Sequence, residues 1–230
     1  MKKLILAIIL LTLTLSSLSA KNYRAVPLEK ATLLKTGKEK MYCSICGMTL
    51  PMFYRTNHAS HHDGHDDQYC SITCEMTDMI VNNRKMTDFR VVDNATDSKT
   101  YLKFIDANKA FFIVGSKKPG TMSMISKYAF SDKKSALKFQ EKNGGKLMDF
   151  KDLVSMVKAK LQKDLKATKK RQAKAIKKGS MMYKKMCAKT DKKFSTTAEA
   201  KSYLVQSKIC GNIRGKKLQA IGMYLVNRNK

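Results

Sequence analysis

Apolar positions follow three rhythms along this chain, and each predicts a different kind of element. At the start, Lys2 and Lys3 precede an apolar run from Leu4 to Leu15, followed by Ser16, Ser17, Ser19 and Ala20. That order predicts a secretory signal peptide, cut after Ser19 or Ala20, whose apolar run is short for a bilayer span. No later stretch is apolar for long enough to cross a membrane, so the expected mature protein is soluble and outside the cytoplasm. Residues 22–40 are mixed and predict a lead-in strand or loop.

The strand rhythm follows. Phe89 to Val92, Tyr101 to Ile105 and Ala110 to Val114 have strand composition, the last after an Asp106-Ala107-Asn108 turn. Gly115 to Gly120 predicts a loop closed by Pro119-Gly120. Ile125 to Phe130 predicts a strand, Ser131 to Asn143 a helix capped by Ser131 and stopped by Gly144-Gly145, and Lys146 to Phe150 another short strand. Together these make a βαβ unit.

Helical spacing then takes over. Lys151 to Lys178 places Leu153, Val154, Val157, Leu161 and Leu165 on one side. From Lys158 onward it carries ten Lys or Arg against one Asp, which predicts an exposed linker helix. After Gly179, Met181 to Met186, Thr197 to Ile209 (capped by Ser195 or Thr196) and Leu218 to Val226 predict three short helices. So small a unit buries little apolar area and usually needs a staple. Cys187 and Cys210, at the ends of its first two helices, supply one as a disulfide in an oxidising compartment. The fold class is α+β, divided into a signal peptide (1–20), a metal-binding domain (21–155), a basic linker helix (156–179) and a helical unit (180–230).

Composition changes this picture in one respect. The formal charge of +28 becomes +26 without Lys2 and Lys3, and it is spread along the whole chain. A basic surface ordinarily suggests nucleic acid, but export argues against that. It points instead to anionic lipid head groups or an acidic partner protein, or simply to a lysine-rich solvated face.

The candidate chemistry lies between Met41 and Met79, which hold four of the six cysteines, all four histidines and five of the fifteen methionines. Cys43 and Cys46 stand two residues apart on a turn that Gly47 keeps open. Cys70 and Cys74 follow at helical spacing, where a helix N-terminus is expected to lower their thiol pKa values. A knuckle, a hairpin and a helix's first turn make the layout of a treble-clef metal site. Zinc suits four thiolates. The flanking Met48, Met52, Met76 and Met79 favour Cu(I), because thioether sulfur is a poor zinc ligand, although Met76 and Met79 also have the spacing of core residues. Met48, two residues beyond Cys46, is the strongest thioether candidate. His58, His61, His62 and His65, interleaved with Asp63, Asp66 and Asp67, predict a polar loop that chelates Cu(II), Ni(II) or Zn(II) beside the sulfur site. No catalytic triad or phosphate-binding glycine loop occurs, so a non-enzyme is expected. The enzyme alternative is thiol-disulfide exchange at Cys43 and Cys46, but no thioredoxin-like order of elements surrounds them.

In order along the chain, Cys46-Gly47-Met48, Gln68-Tyr69-Cys70, Ala110 to Ser116, Gly120 to Met124 and Asn143 to Leu147 resemble the NosL family of nitrous oxide reductase accessory proteins, over about residues 24 to 155. The resemblance implies two small sheet-plus-helix halves and a periplasmic copper chaperone that binds Cu(I). Its implied partner is nitrous oxide reductase or another periplasmic copper protein. Cys46 and Met48 match the family's Cys-Gly-Met motif, and Met122 and Met124 lie in its Gly-x-Met segment. Many members are lipoproteins, yet no cysteine stands at the expected signal cut here. The Cys70 and Cys74 pair is not general to the family. The helices after residue 180 lie outside the resemblance and look faintly like a c-type cytochrome, but the chain contains no Cys-x-x-Cys-His for covalent haem.

Overall fold

The computed structural model describes residues 22–95 and 102–228. The expected signal peptide, and Tyr101 at the start of one expected strand, lie outside the described residues. Among them are strands β1 (His58–His62), β2 (His65–Tyr69), β3 (Thr87–Val92), β4 (Phe104–Asp106), β5 (Phe111–Val114), β6 (Lys127–Phe130) and β7 (Lys146–Met148). The α-helices are α1 (Ile72–Val81), α2 (Lys133–Asn143), α3 (Phe150–Met186), α4 (Thr197–Ser207) and α5 (Gly215–Asn227).

Two sheets form, in the orders β2-β1-β3-β4 and β6-β5-β7. In the second, β5 runs antiparallel to both neighbours. Strands β6 and β7 are therefore parallel, with β5 between them and α2 as their crossover, which is the expected βαβ unit with a strand inserted. A bridge between Asp93 and Ala129 joins the sheets, and the Asn94 N–H donates to the Ala129 carbonyl at 2.8 Å. Helix α2 is capped by Asp132 rather than Ser131, with the carboxylate accepting from the Ser135 N–H. An anionic acceptor also complements the positive end of the helix dipole.

The main core lies between the sheets and the first turns of α3. Ile72 and Met76 from α1, Val91, Phe112 and Val114 from the strands, and Phe150, Leu153 and Val157 from α3 pack into one cluster.

The expected linker and the first helix of the expected C-terminal unit are a single 37-residue helix, on the order of 55 Å long. Its lysine-rich middle is not free of the core, because Leu161, Thr168, Gly179 and Tyr183 form a buried stripe. Thr168 Oγ1 and Arg171 Nη2 both donate to the Met122 carbonyl, at 3.4 and 3.3 Å. Nor does Gly179 mark a boundary. A Cβ there would come within 2.0 Å of the Ala220 carbonyl oxygen, so the missing side chain is what lets α3 and α5 cross in contact.

Thr196 caps α4, its hydroxyl accepting from the Glu199 N–H at 3.0 Å. A disulfide between Cys187 and Cys210 ties the end of α3 to the turn after α4. Phe194, Leu204, Leu218, Ile221 and Leu225 fill a second, smaller core there. Among the described residues no helix is long and apolar enough to cross a membrane.

Candidate metal centre

Three local devices bring the cysteines together. In the first, the Cys43 N–H donates to the Met48 carbonyl at 2.9 Å and the Gly47 N–H donates to the Cys43 carbonyl at 3.0 Å. Gly47 has φ +67°, a backbone that glycine adopts without the steric cost other residues meet. The second is the β1–β2 hairpin, whose Asp63-Gly64 turn has φ +47° and +77°. It returns the chain to the knuckle, where the Ser44 N–H donates to the Gln68 carbonyl at 3.2 Å. The third is α1, which starts directly after Ser71 and carries Cys74 in its first turn.

All four thiol sulfurs lie within 4.8 Å of one another. Cys46 to Cys70 is 3.4 Å and Cys70 to Cys74 is 3.7 Å, and every one of the four is buried. A tetrahedron with metal–sulfur bonds of ~2.3 Å has edges of ~3.8 Å. The donor set therefore fits a thiophilic ion with little rearrangement.

Burial pushes the Cys43 thiol up, yet hydrogen bonds from Cys46, Cys70 and Cys74 outweigh burial and hold it well below the ordinary thiol range. The Cys43 sulfur, followed by that of Cys46, pushes Cys70 and Cys74 well up. Hydrogen bonding to Cys43 and Cys46, with burial and the Cys43 charge behind it, thus raises both, opposite to the lowering expected from a helix N-terminus.

The methionines separate into three groups. Met48 and Met122 pack against the cysteine cluster, as does Met86. Met76 and Met79 belong to the main core, and Met52 is exposed. Met124, 89% exposed, stands at the rim of a cavity of about 330 Å³ that Cys46, Met48, Met122, Met223 and Arg171 also line.

The histidines form a β-hairpin, not a polar loop, and they do not converge as four. His58 is buried, and its Nδ1 lies 3.0 Å from Glu75 Oε2. His61 Nδ1 lies 3.0 Å from Asp66 Oδ1. His62 and His65 turn toward Asp67 instead.

Over the knuckle lies a roof from α4 and α5 that sequence reasoning did not find. Lys201, fully buried, donates from Nζ to the Gly47 carbonyl at 2.5 Å, to Gln219 Oε1 at 2.9 Å and to Thr49 Oγ1 at 3.2 Å. Its ammonium also lies 4.1 Å from the centre of the Tyr42 ring. Gln219 Nε2 donates to the Cys46 carbonyl at 2.9 Å, and Ser202 Oγ donates to the Lys38 carbonyl at 2.9 Å. Desolvation pushes Lys201 down to about 7, against attraction from the sulfurs of Cys46, Cys43 and Cys70. Nothing in the sequence marks this lysine among forty-six basic residues, although Thr196-x-x-Glu199 does mark the helix that presents it.

Comparison with known proteins follows the same division of the chain. No curated protein matches. A solved structure, the crystal structure of the copper chaperone NosL from Shewanella denitrificans, is similar at 24% identity, covering 54% of this chain and 96% of that one with a TM-score of 0.42. The family model for NosL matches residues 35–157, which include all four clustered cysteines with Met48, Met122 and Met124 and exclude the roof. With more than half of its length matched by that model, this chain belongs to the NosL family.

Proposed function

We propose that this chain is an exported, periplasmic Cu(I) carrier that takes the ion on cysteine sulfur, passes it to methionine sulfur and delivers it for copper-site assembly in nitrous oxide reductase or a similar copper protein. The observation that carries this reading is the double membership of Cys46. Its sulfur belongs to the four-thiol cluster, and the residue also lines the cavity shared by Met48, Met122, Met124 and Met223. Thiolate and thioether donors together select a soft ion, and zinc would leave the thioethers unused. Low-coordinate Cu(I) moves readily along such a path, because an incoming sulfur joins before the old one leaves. The exposed Met124 is the last donor before solvent, and the lysine-rich surface favours an acidic recipient, so transfer should slow as ionic strength rises. Membership in NosL supports copper as the cargo. The chain acts as a carrier, and no catalytic residue is assigned to it. Thiol-disulfide exchange is the weaker reading, since Cys43 is fully buried and Cys46 alone of the pair reaches the cavity.

A second reading is favoured by the tetrahedral spacing of the thiols: zinc held by Cys43, Cys46, Cys70 and Cys74 as a structural treble clef. Metal analysis of protein recovered reduced from the periplasm, followed by anaerobic Cu(I) competition titration, separates the two. For Cu(I) delivery, Cys46→Ser weakens Cu(I) binding by about tenfold or more and Met48→Leu weakens it less. Unchanged affinity and stoichiometry in both variants rejects the reading. One zinc per chain that excess Cu(I) does not displace supports the structural alternative.

A further inference from the structure

We propose that His62, His65 and Asp67 form a second metal site, separate from the sulfur cluster and selective for a borderline divalent ion such as Cu(II). Their ligand-type atoms all lie within 4.8 Å of one another. His62 Nε2 is 2.5 Å and His65 Nε2 is 3.7 Å from the same Asp67 oxygen, Oδ2, and the two imidazole rings are 4.3 Å apart. His62 is buried and Asp67 nearly so, while His65 faces solvent and a large cleft.

What distinguishes this trio from an ordinary ion pair is the state of its other polar atoms. His62 Nδ1 lies 3.3 Å from Asp63 Oδ2, and His65 Nδ1 lies 3.2 Å from the Asp63 carbonyl oxygen. These contacts hold the two rings so that both Nε2 atoms face Asp67 Oδ2, and an ion bound there would replace the proton that His62 Nε2 and Asp67 Oδ2 share at 2.5 Å. Asp67 Oδ1 accepts from Ser44 Oγ at 2.5 Å, so the carboxylate is held with Oδ2 turned to the two histidines. The residues that complete each ligand's second hydrogen bond are thus already in place, as they are around held metal ions. Two nitrogens and one carboxylate oxygen, with open positions toward the cleft, suit Cu(II) best among common divalent ions by the Irving–Williams order. Arg84 Nη1, 3.5 Å from His62 Nδ1 and 3.8 Å from Asp63 Oδ2, and Lys35, which acts on Asp67, hold the affinity below that of an uncharged surrounding. His61 and His58 are outside the site because their nitrogens are not among the atoms that converge within 4.8 Å; they pair with Asp66 and Glu75 instead.

This site shares no ligand with the sulfur centre, so the two proposals fail independently. The test uses full-length protein whose cysteines are first saturated with Cu(I), or with Zn(II) where that is the ion they hold, so that added Cu(II) does not oxidise them. One equivalent of Cu(II) is then added anaerobically and followed by electron paramagnetic resonance and competition titration. The expected spectrum shows superhyperfine coupling to two nitrogens. His65→Ala removes one of them and weakens binding about tenfold or more, Asp63→Ala weakens it about tenfold, and His61→Ala leaves it unchanged. A wild-type spectrum and affinity retained in His65→Ala overturns the proposal. Equal losses in His61→Ala and His65→Ala also overturn it, by showing adventitious chelation along the hairpin.

Discussion

Replacing Gly47 by alanine tests the fit between knuckle and roof. Alanine at φ +67° carries a steric cost of about 1–2 kcal/mol in the left-handed region. The new Cβ would also stand 2.7 Å from both Cβ and Cγ2 of Thr197 and 3.1 Å from its carbonyl carbon. Thr197 opens α4, so its backbone cannot withdraw without moving the helix that presents Lys201. Overpacking of this kind costs about 1–3 kcal/mol, for a total of about 2–5 kcal/mol. Urea unfolding of reduced Gly47→Ala, Thr197→Gly and the double variant separates the two parts. The strain at residue 47 persists in the double variant while most of the clash disappears, so the cycle gives a coupling of about 1–3 kcal/mol. A coupling within error of zero refutes the claim that the roof bears on the knuckle, whatever the single variant costs.

Desolvation, opposed by Asp164 and reinforced by Lys160, pushes the buried Lys127 down to about 8, whereas an unfolded lysine titrates near ~10.4. Between those values the unfolded chain binds more protons, so stability rises with pH across that window and the full penalty applies below it. Lys127→Met is expected to raise stability at neutral pH, on the order of 3 kcal/mol, and to flatten the dependence between pH 8 and 10 relative to wild type. Parallel urea-derived stability curves would contradict this. Opening the Cys187–Cys210 disulfide, whose partners are 23 residues apart, with the paired change Cys187→Ser and Cys210→Ser should cost about 3 kcal/mol. The loss should appear first as faster hydrogen exchange in α4 and α5, and uniform exchange across the chain would argue against a local staple.

Much of the fold was legible because local chemistry and global packing agree. The strands around Phe112 and Val114 combine strand composition with burial, and Gly144-Gly145 ends α2 where the pattern breaks. The cysteine spacings gave the knuckle and the nearby helix start, but only Cys74 is on the helix; Cys70 precedes its cap, Ser71, and directly follows the hairpin strand instead. The hairpin at Asp63-Gly64 carried its own signal, since Asp-Gly favours the two positive φ values of a type I′ turn. The treble-clef layout anticipated a hairpin there, and the histidine-rich composition hid only that the histidines stand on its strands. The long helix was misjudged for a different reason. Its buried stripe passes through Thr168 and Gly179, residues too small or polar to register as apolar, while the lysines around them occupy the other faces. A charge run measures the average of a helix, whereas packing needs only one side. The contributions of Lys201, Gln219 and Met223 depend on contacts across more than 150 residues, which no local pattern encodes.

One chain here contains sulfur in two oxidation states: a closed cystine at Cys187–Cys210 and four free thiols. Oxidants attack sulfur along the line of the bond being made or broken, so shielding controls the rate even where the chemistry is downhill. One of the two helices that cover the knuckle, α4, runs directly into the turn that the cystine fastens. A chain that failed to close its cystine would hold α4 less firmly over the buried thiols, so an event at one sulfur pair bears on the exposure of the other four.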